Sequence, residues 1–357
     1  MKTHAIIPVF IPHKGCPNDC VFCNQKAITA RTADVSPEDV RNLIERYLPT
    51  LQDRGITTIE VAFFGGSFTG IPIEEQSAFL AVAKEYKDKG LIHKIHMSTR
   101  PDYIDKEILD NLKKYDADII ELGVQSFDPD VLEASNRGHL AEDVYKACDL
   151  IKEYGFELGI QLMIGLPQDS LEKCIYSAKE TVKIGPSIAR LYPTIVLNDT
   201  ALYDMYREDK YKPLTTEEAV VITKEMYKIL DDAGINIIRV GLKSTDLITE
   251  GGEVRGHTYH PAFRQLVEGE IAKEQLEEQL LNLLASAGSS EAPKSSEAPE
   301  ASKGCAFAFV SNGVSFSYMI GNSKANKLYF EEKYPDIKIR FKTDSSLEAG
   351  RYIVLKL

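Results

Sequence analysis

The stretch HKGCPNDCVFC, residues 13–23, places Cys16, Cys20, Cys23 and His13 inside eleven residues. Six cysteines in 357 residues fit a reducing compartment, where clustered thiols serve a metal or a reaction and not a staple. Two ligand sets compete for them. With His13, the cysteines would form a Cys3His zinc site, closed and tetrahedral. Without it, three thiolates would hold three irons of an iron–sulfur cluster and leave the fourth open to a small ligand, which suits catalysis and departs from the four-cysteine pattern of electron carriers. The spacing C-x3-C-x2-C favours the cluster, because zinc knuckles draw a second pair from further along the chain. Phe22, an aromatic directly before the last cysteine, is a further cue.

The elements that must position this loop are legible as an alternation. Apolar or β-branched runs stand at 4–12, 58–65, 94–100, 118–126, 156–165, 188–196 and 235–242. Helical patterns, with apolar residues three and four apart, fill 37–54, 73–89, 105–115, 129–154, 170–184 and 215–233. Ser36-Pro37-Glu38 reads as a helix start, and Gly55, Gly90, Gly155, Gly185 and Gly234 stand where helices should stop. Strand–helix repeats of this kind predict an α/β fold, a partial (β/α)6 TIM-like barrel, with the cysteines at the C-terminal end of its first strand, where barrel sites are assembled.

Domain boundaries follow from composition. The reading gives a barrel at 1–242, an extension and helix at 243–287, a flexible linker at 288–304 that repeats SSEAP, and a small ββαββ unit at 305–357. The small unit is predicted as strand 305–310, strand 314–320, helix 322–334, strand 337–342 and strand 351–357. The net charge of −12 is unevenly spread: residues 303–357 carry nine Lys and Arg against five Asp and Glu, a net of +4, which leaves −16 for the rest. Neither a membrane-length apolar run nor a signal peptide stands out, so a cytoplasmic protein without a membrane partner is expected.

Beyond the loop, the chain resembles the radical S-adenosylmethionine (SAM) enzymes, whose cluster motif is C-x3-C-x-aromatic-C. FFGGSFTGIP (63–72), STRPDYI (98–104), ELGVQSFDPDVLEASNRGH (121–139), GIQLMIGLP (159–167) and LYPTIVLNDTALYDMYREDKYKPLTTEEAV (191–220) are similar to successive blocks of one branch. That branch contains the catalytic subunit of the Elongator tRNA-modifying complex and, more distantly, oxygen-independent coproporphyrinogen oxidase. The resemblance implies a 4Fe–4S cluster on Cys16, Cys20 and Cys23, whose open iron chelates SAM, and reductive cleavage of SAM to a 5′-deoxyadenosyl radical. It further implies that Gly65, Gly66 and Ser67 approach the methionine end of SAM, that Arg137 meets its carboxylate, and that Gln125 and Gln161 lie near the ribose. Phe22 would lie against the cofactor, Ile164 and Gly165 would lend backbone to the adenine, and a one-electron reductant such as flavodoxin or ferredoxin would be the partner. From the residues alone, Gln161 is equally well explained by strand alternation and Gly65-Gly66-Ser67 by a plain βα turn. Cys148, Cys174 and Cys305 read as small core residues. The Elongator subunit has an acid where this chain has Ser98, a lysine near the position of Arg190, and an acetyltransferase domain after its radical domain; nothing comparable follows residue 270, so acetyl-coenzyme A is not expected as a co-substrate.

The segment MIGNSKANKLYFEEKYPDIKIRF (319–341) resembles a KH RNA-binding module, with Lys324 in place of the second glycine of its loop. This implies RNA contacts by Gly321, Lys324, Lys327, Lys338 and Arg340, against a plain packing or dimerisation domain. Three functions stay open at this point: modification of an RNA base, tRNA foremost; radical chemistry on a small molecule or porphyrinogen; and a non-catalytic iron–sulfur or zinc protein.

Overall fold

All seven apolar runs of the larger unit are strands in the computed structural model, which describes residues 3–11, 16, 20–24, 35–242, 248–249, 252–287 and 305–357. They are β1 (His4–Ile11), β2 (Thr58–Gly65), β3 (Lys94–Thr99), β4 (Ile119–Gln125), β5 (Glu157–Ile164), β6 (Ile188–Pro193) and β8 (Asn236–Val240), while the two-residue strands β7 (Val196–Leu197) and β9 (Val254–Arg255) pair antiparallel with each other. The order is β1-β2-β3-β4-β5-β6-β8, and every neighbouring pair is parallel. Helices follow each of the first six strands: α1 (Pro37–Gln52), α2 (Ile73–Asp88), α3 (Lys106–Lys114), α4 (Pro129–Ala134) with α5 (Ala141–Glu153), α6 (Leu171–Ile184), and α7 (Ala201–Arg207) with α8 (Thr216–Asp232). This is the partial barrel that the alternation predicts. Strands covered on both faces must be apolar on both, which is why β2 and β4 read as nearly continuous apolar runs.

Local chemistry starts the helices where the sequence indicates. The Ser36 hydroxyl accepts the Asp39 N–H while the Asp39 carboxylate accepts the Ser36 N–H, and Thr215 with Glu218 repeats the arrangement at α8. One predicted helix, 129–154, is two. Asn136 (φ 50°) and Gly138 (φ 76°) turn the chain between α4 and α5, and the break brings Arg137 and His139 to the strand ends instead of a helix surface.

The chain divides after Pro261, and the second unit runs from Ala262 to Leu357. Helix α9 (Phe263–Ala287), expected to close the extension of the barrel, belongs to this second unit: Ala272, Leu276, Leu280 and Leu284 share one core with Phe307, Phe309, Met319, Phe330 and Val354. Strands β10 (Ala306–Ser311), β11 (Lys338–Thr343) and β12 (Tyr352–Lys356) form a sheet ordered β11-β10-β12, with β11 parallel and β12 antiparallel to β10. The expected strand at 314–320 is instead α10 (Phe316–Ile320), followed by α11 (Ala325–Lys333), so the order after β10 is helix, helix, strand, strand. Met319, three residues after Phe316, is fully buried in the core, and that helical spacing prevails over the period-2 pattern of Val314, Phe316 and Tyr318. The expected linker, 288–304, lies outside the described residues, as does His13. No helix among the described residues is long and apolar enough to cross a membrane.

Candidate active site

Strand ends set the frame. Gly65 closes β2 with φ 114°, and a Cβ there would stand 2.3 Å from the Ile11 carbonyl oxygen, so only glycine lets β1 and β2 approach this closely. The Gly66 N–H donates to the same carbonyl at 3.2 Å. Next in the chain, Ser67 is buried, and its hydroxyl has no hydrogen-bond partner. Such a group costs about 1–3 kcal/mol unless something satisfies it.

The cysteine loop is tied down by its backbone. The Cys23 N–H donates to the Cys20 carbonyl (2.9 Å), the Val21 N–H to Ser135 beside the α4–α5 turn (3.1 Å), and the Leu202 N–H at the start of α7 to the Val21 carbonyl (2.7 Å). The Asn24 side-chain amide donates to the Asn198 carbonyl at 2.8 Å. Phe22 packs with Val21 on the cluster of Val196, Leu202 and Tyr211. Cys20 is buried, whereas Cys16 and Cys23 are half-buried. Two guanidinium groups converge on the Cys20 sulfur: Arg137 Nη1 donates at 3.3 Å and Arg100 Nη1 at 3.9 Å. His139, 3% exposed, is pushed down to about 3 by burial and then by the charges of Arg137 and Arg100, so it stands neutral beside them.

Arg137 also links the sulfur to the end of β4. Its Nη2 donates to the Gly123 carbonyl, while its Nε is buried without a hydrogen-bond partner. A Cβ on Gly123 would stand 3.0 Å from the Gln125 amide and 3.1 Å from Arg137 Nη2, so the bare backbone leaves both side chains their places. Gln125 sits at a β-bulge with φ 71°, a strained setting for a side chain of its size, and its Oε1 accepts from Gln161 Nε2 at 3.2 Å. On β5, Ile164 is fully buried and Gly165 begins a turn fastened from two sides: the Asp169 carboxylate accepts the Gly165 N–H at 2.9 Å, and the Tyr211 hydroxyl donates to the Gly165 carbonyl at 2.6 Å. Burial raises the Asp169 carboxyl, partly offset by hydrogen bonds from Cys174, Gly165, Ser170 and Leu166.

Below this rim a chain of polar side chains crosses the sheet. His4, with its side chain 47% exposed, lies 3.1 Å from Glu60; His96 Nδ1 lies 2.6 Å from Glu60 and its Nε2 3.7 Å from Glu121. Glu121 pairs with Arg190 at 2.7 Å and accepts from Ser98 at 3.0 Å, and Arg190 stacks on Phe64 with its guanidinium carbon 4.8 Å from the ring centre. Burial pushes the Glu60 carboxyl up, but the hydrogen bond and charge of His96, with His4, outweigh it and the net shift is downward. Arg190 remains a cation, since Glu121 and Tyr192 overcome its desolvation.

The structure thus brings Arg137 onto Cys20 and Gln161 onto Gln125, with Gly123 flanked by both Arg137 and Gln125, while Gly65, Gly66 and Ser67 stand at the end of β2. Arg100, His139 and the Glu60–His96–Glu121 chain are additions that sequence reasoning did not single out, whereas Arg190, at the end of that chain, was noted only as a departure from the Elongator subunit. A signal for the last existed: Glu60, His96 and Glu121 each interrupt an otherwise apolar strand. Cys148 and Cys174 are buried and unpaired to any other cysteine, and burial pushes the Cys148 thiol up to about 12. In the second unit the residues read as RNA contacts fall on two parts of the chain. Gly321, Lys324 and Lys327 lie where α10 and α11 meet, and Lys327 stands 3.6 Å from Glu331. Lys338 and Arg340 alternate on β11 with Ile339 and Phe341, which pack against the helical core, so the two cations face away from it. A Cβ on Gly321 would stand 2.6 Å from the Asn326 nitrogen, which makes that glycine a packing requirement.

A radical SAM cofactor set fits the residues present. Three thiols on a tethered loop, two buried guanidinium groups able to offset thiolate charge, and buried unsatisfied groups on Ser67 and Arg137 make a donor set for a negatively charged cluster and a zwitterionic ligand. Among the described residues no group of three His, Cys, Asp or Glu side chains is drawn together tightly enough to hold a single metal ion.

Comparison with known proteins accords with this geometry. Models of the radical SAM superfamily and of the radical SAM C-terminal domain match residues 10–179 and 186–273. The tRNA uridine(34) acetyltransferase of Methanocaldococcus infernus is 30% identical over 257 residues, 61% of this chain and 48% of that protein. Elongator complex protein 3 of Homo sapiens is 26% identical over 269 residues, 63% of this chain and 49% of that protein. The chain therefore spans about half the length of the curated relatives it matches. The solved structure of the archaeal Methanocaldococcus infernus Elp3 with residues 1–46 deleted shares the fold, with a TM-score of 0.60 at 23% identity over 77% of this chain and 64% of that one. On the family matches and the fold together, the chain belongs to the radical SAM superfamily of enzymes.

Proposed function

We propose that this radical SAM enzyme modifies a base of an RNA, tRNA foremost, with its cluster on Cys16, Cys20 and Cys23 and its SAM between the ends of β2, β4 and β5. The contact of Arg137 with Cys20, beside the Gln125–Gln161 pair across Gly123, carries the assignment of the site. When bound, the cluster and SAM together supply one-electron reduction and hydrogen-atom abstraction from the substrate. This chain's residues do the holding. Arg137, with its unsatisfied Nε, is set to meet a carboxylate, and Ser67 and the backbone around Gly65 and Gly66 the same end of the ligand. Gln125 and Gln161 offer amides to ribose hydroxyls, and the turn at Ile164 and Gly165, fixed by Asp169 and Tyr211, offers backbone to the adenine edge. The electron donor is a low-potential carrier of the flavodoxin or ferredoxin class.

The RNA substrate rests on the relatives, which are named for tRNA uridine 34 and for Elongator, and on the charge segregation of the chain. A base in a single-stranded loop is the cheapest to present to such a mouth, since it needs little unstacking. The test is mass spectrometry of bulk tRNA nucleosides from cells lacking this chain, beside the parent and a strain complemented with the parent gene or Cys20→Ala. The expected result is one modified nucleoside lost in the deletion, restored by the parent gene and not by the variant. Identical nucleoside profiles in all four strains would remove tRNA as the substrate.

A further inference from the structure

Arg100 is an unusual residue to find at the end of β3. It is 2% exposed, and its guanidinium is used on three sides: Nε and Nη2 on the Asp102 carboxylate at 2.9 and 3.0 Å, Nη2 on the Arg137 carbonyl at 2.6 Å, and Nη1 toward the Cys20 sulfur at 3.9 Å. Burial works against its positive charge, but the hydrogen bond and charge of Asp102, and after them the neighbouring Cys20 and Cys16, outweigh it and the net shift is upward. Two buried cations a few ångströms apart repel one another, yet Arg100 and Arg137 both aim a nitrogen at one thiol, and the Arg100–Arg137 carbonyl bond holds them there. Nothing in SAM recognition, as assigned above, requires Arg100. One of its contacts reaches the Cys20 sulfur.

We propose that Arg100 is a positioning residue for the cluster, which donates with Arg137 to Cys20 Sγ and thereby raises the reduction potential of the bound cluster. The inference rests on the assignment of Cys16, Cys20 and Cys23 as cluster ligands. Its physical basis is charge: adding one electron to a thiolate-held cluster makes it more negative, and a fixed cation or an N–H donor at a ligating sulfur stabilises that reduced form. The electron comes from a low-potential one-electron carrier and no bond to the protein forms or breaks. Asp102 tempers the effect, because its carboxylate cancels part of the guanidinium charge while fixing its direction. The two residues should therefore shift the potential in opposite senses.

The experiment is a redox titration of the anaerobically reconstituted full chain, followed by the electron paramagnetic resonance signal of the reduced cluster, for the parent, Arg100→Gln and Asp102→Asn. With iron content equal to the parent, Arg100→Gln should lower the ratio of reduced to oxidised cluster at a fixed poise by roughly tenfold, which is about 59 mV for a one-electron couple. Asp102→Asn should raise that ratio. A full cluster with an unchanged midpoint in Arg100→Gln overturns the proposal, as does a shift of both variants in the same direction, which would mark a packing effect. Should Arg100→Gln fail to hold a cluster, Asp102→Asn decides alone: a midpoint unchanged or more negative overturns the proposal. Loss of iron binding in the parent chain itself would instead sink the ligand assignment on which the proposal rests.

Discussion

At the scale of single residues, the site is a contest between desolvation and charge, and His139 shows which wins. Burial and two guanidinium neighbours hold it neutral down to about pH 3, whereas in the unfolded chain it takes up a proton below its usual 6.5. The unfolded state thus binds more protons between those values, so stability rises with pH across the window and falls as pH drops from about 6.5 toward 3. A His139→Gln variant should flatten this dependence: urea unfolding at pH 7 and pH 5 should show a loss smaller than the parent's by on the order of 2 kcal/mol. Equal pH dependence in both would mean that His139 protonates in the folded state. The cysteines and Arg137 were legible from spacing and family blocks, because ligand types at fixed intervals survive without a structure. Arg100 and His139 were not, although both lie in quoted blocks, since Arg100 acts through Cys20, 80 positions away in the chain, and His139 through burial beside two guanidinium groups that only the fold brings to it.

At the scale of elements, the strands were read correctly because a parallel sheet covered on both faces imposes continuous apolar runs, and the helix starts because caps are local chemistry. Two elements were misread for the opposite reason. The stretch from Pro129 to Tyr154 keeps helical periodicity across Asn136 and Gly138, and only the need to bring Arg137 back to the strand ends explains the break. VSFSYMI satisfies both periods, and burial of Met319 decides it. Gly65 tests the element-level account. Its Cβ-free approach to Ile11 sets the distance between the ends of β1 and β2, so Gly65→Ala should destabilise the barrel by roughly 1–3 kcal/mol and reduce cluster retention, read by denaturant unfolding and by iron analysis. Unchanged stability would show that the two strand ends yield easily and that the glycine serves some other end.

At the scale of the whole molecule, composition separates a barrel, an extension with its helix, a linker and a small unit. The division by composition set α9 with the extension ahead of the linker because its Glu-, Gln- and Leu-rich pattern precedes the SSEAP repeats; in the structure its apolar stripe completes the core of the second unit. The positive charge of the last 55 residues is spread over several elements, with Lys324, Lys327 and Lys333 at its helices, Lys338, Arg340 and Lys342 on β11, and Arg351 and Lys356 at β12. The central claim is that the larger unit, a member of the radical SAM superfamily, performs radical chemistry on SAM, and the most direct measurement is chemical. Full-length protein, reconstituted anaerobically with iron and sulfide, reduced with dithionite and supplied with SAM, should release 5′-deoxyadenosine, detected by liquid chromatography, while Cys20→Ala should release none. A parent protein that binds stoichiometric zinc, stays colourless and leaves SAM intact would contradict the account.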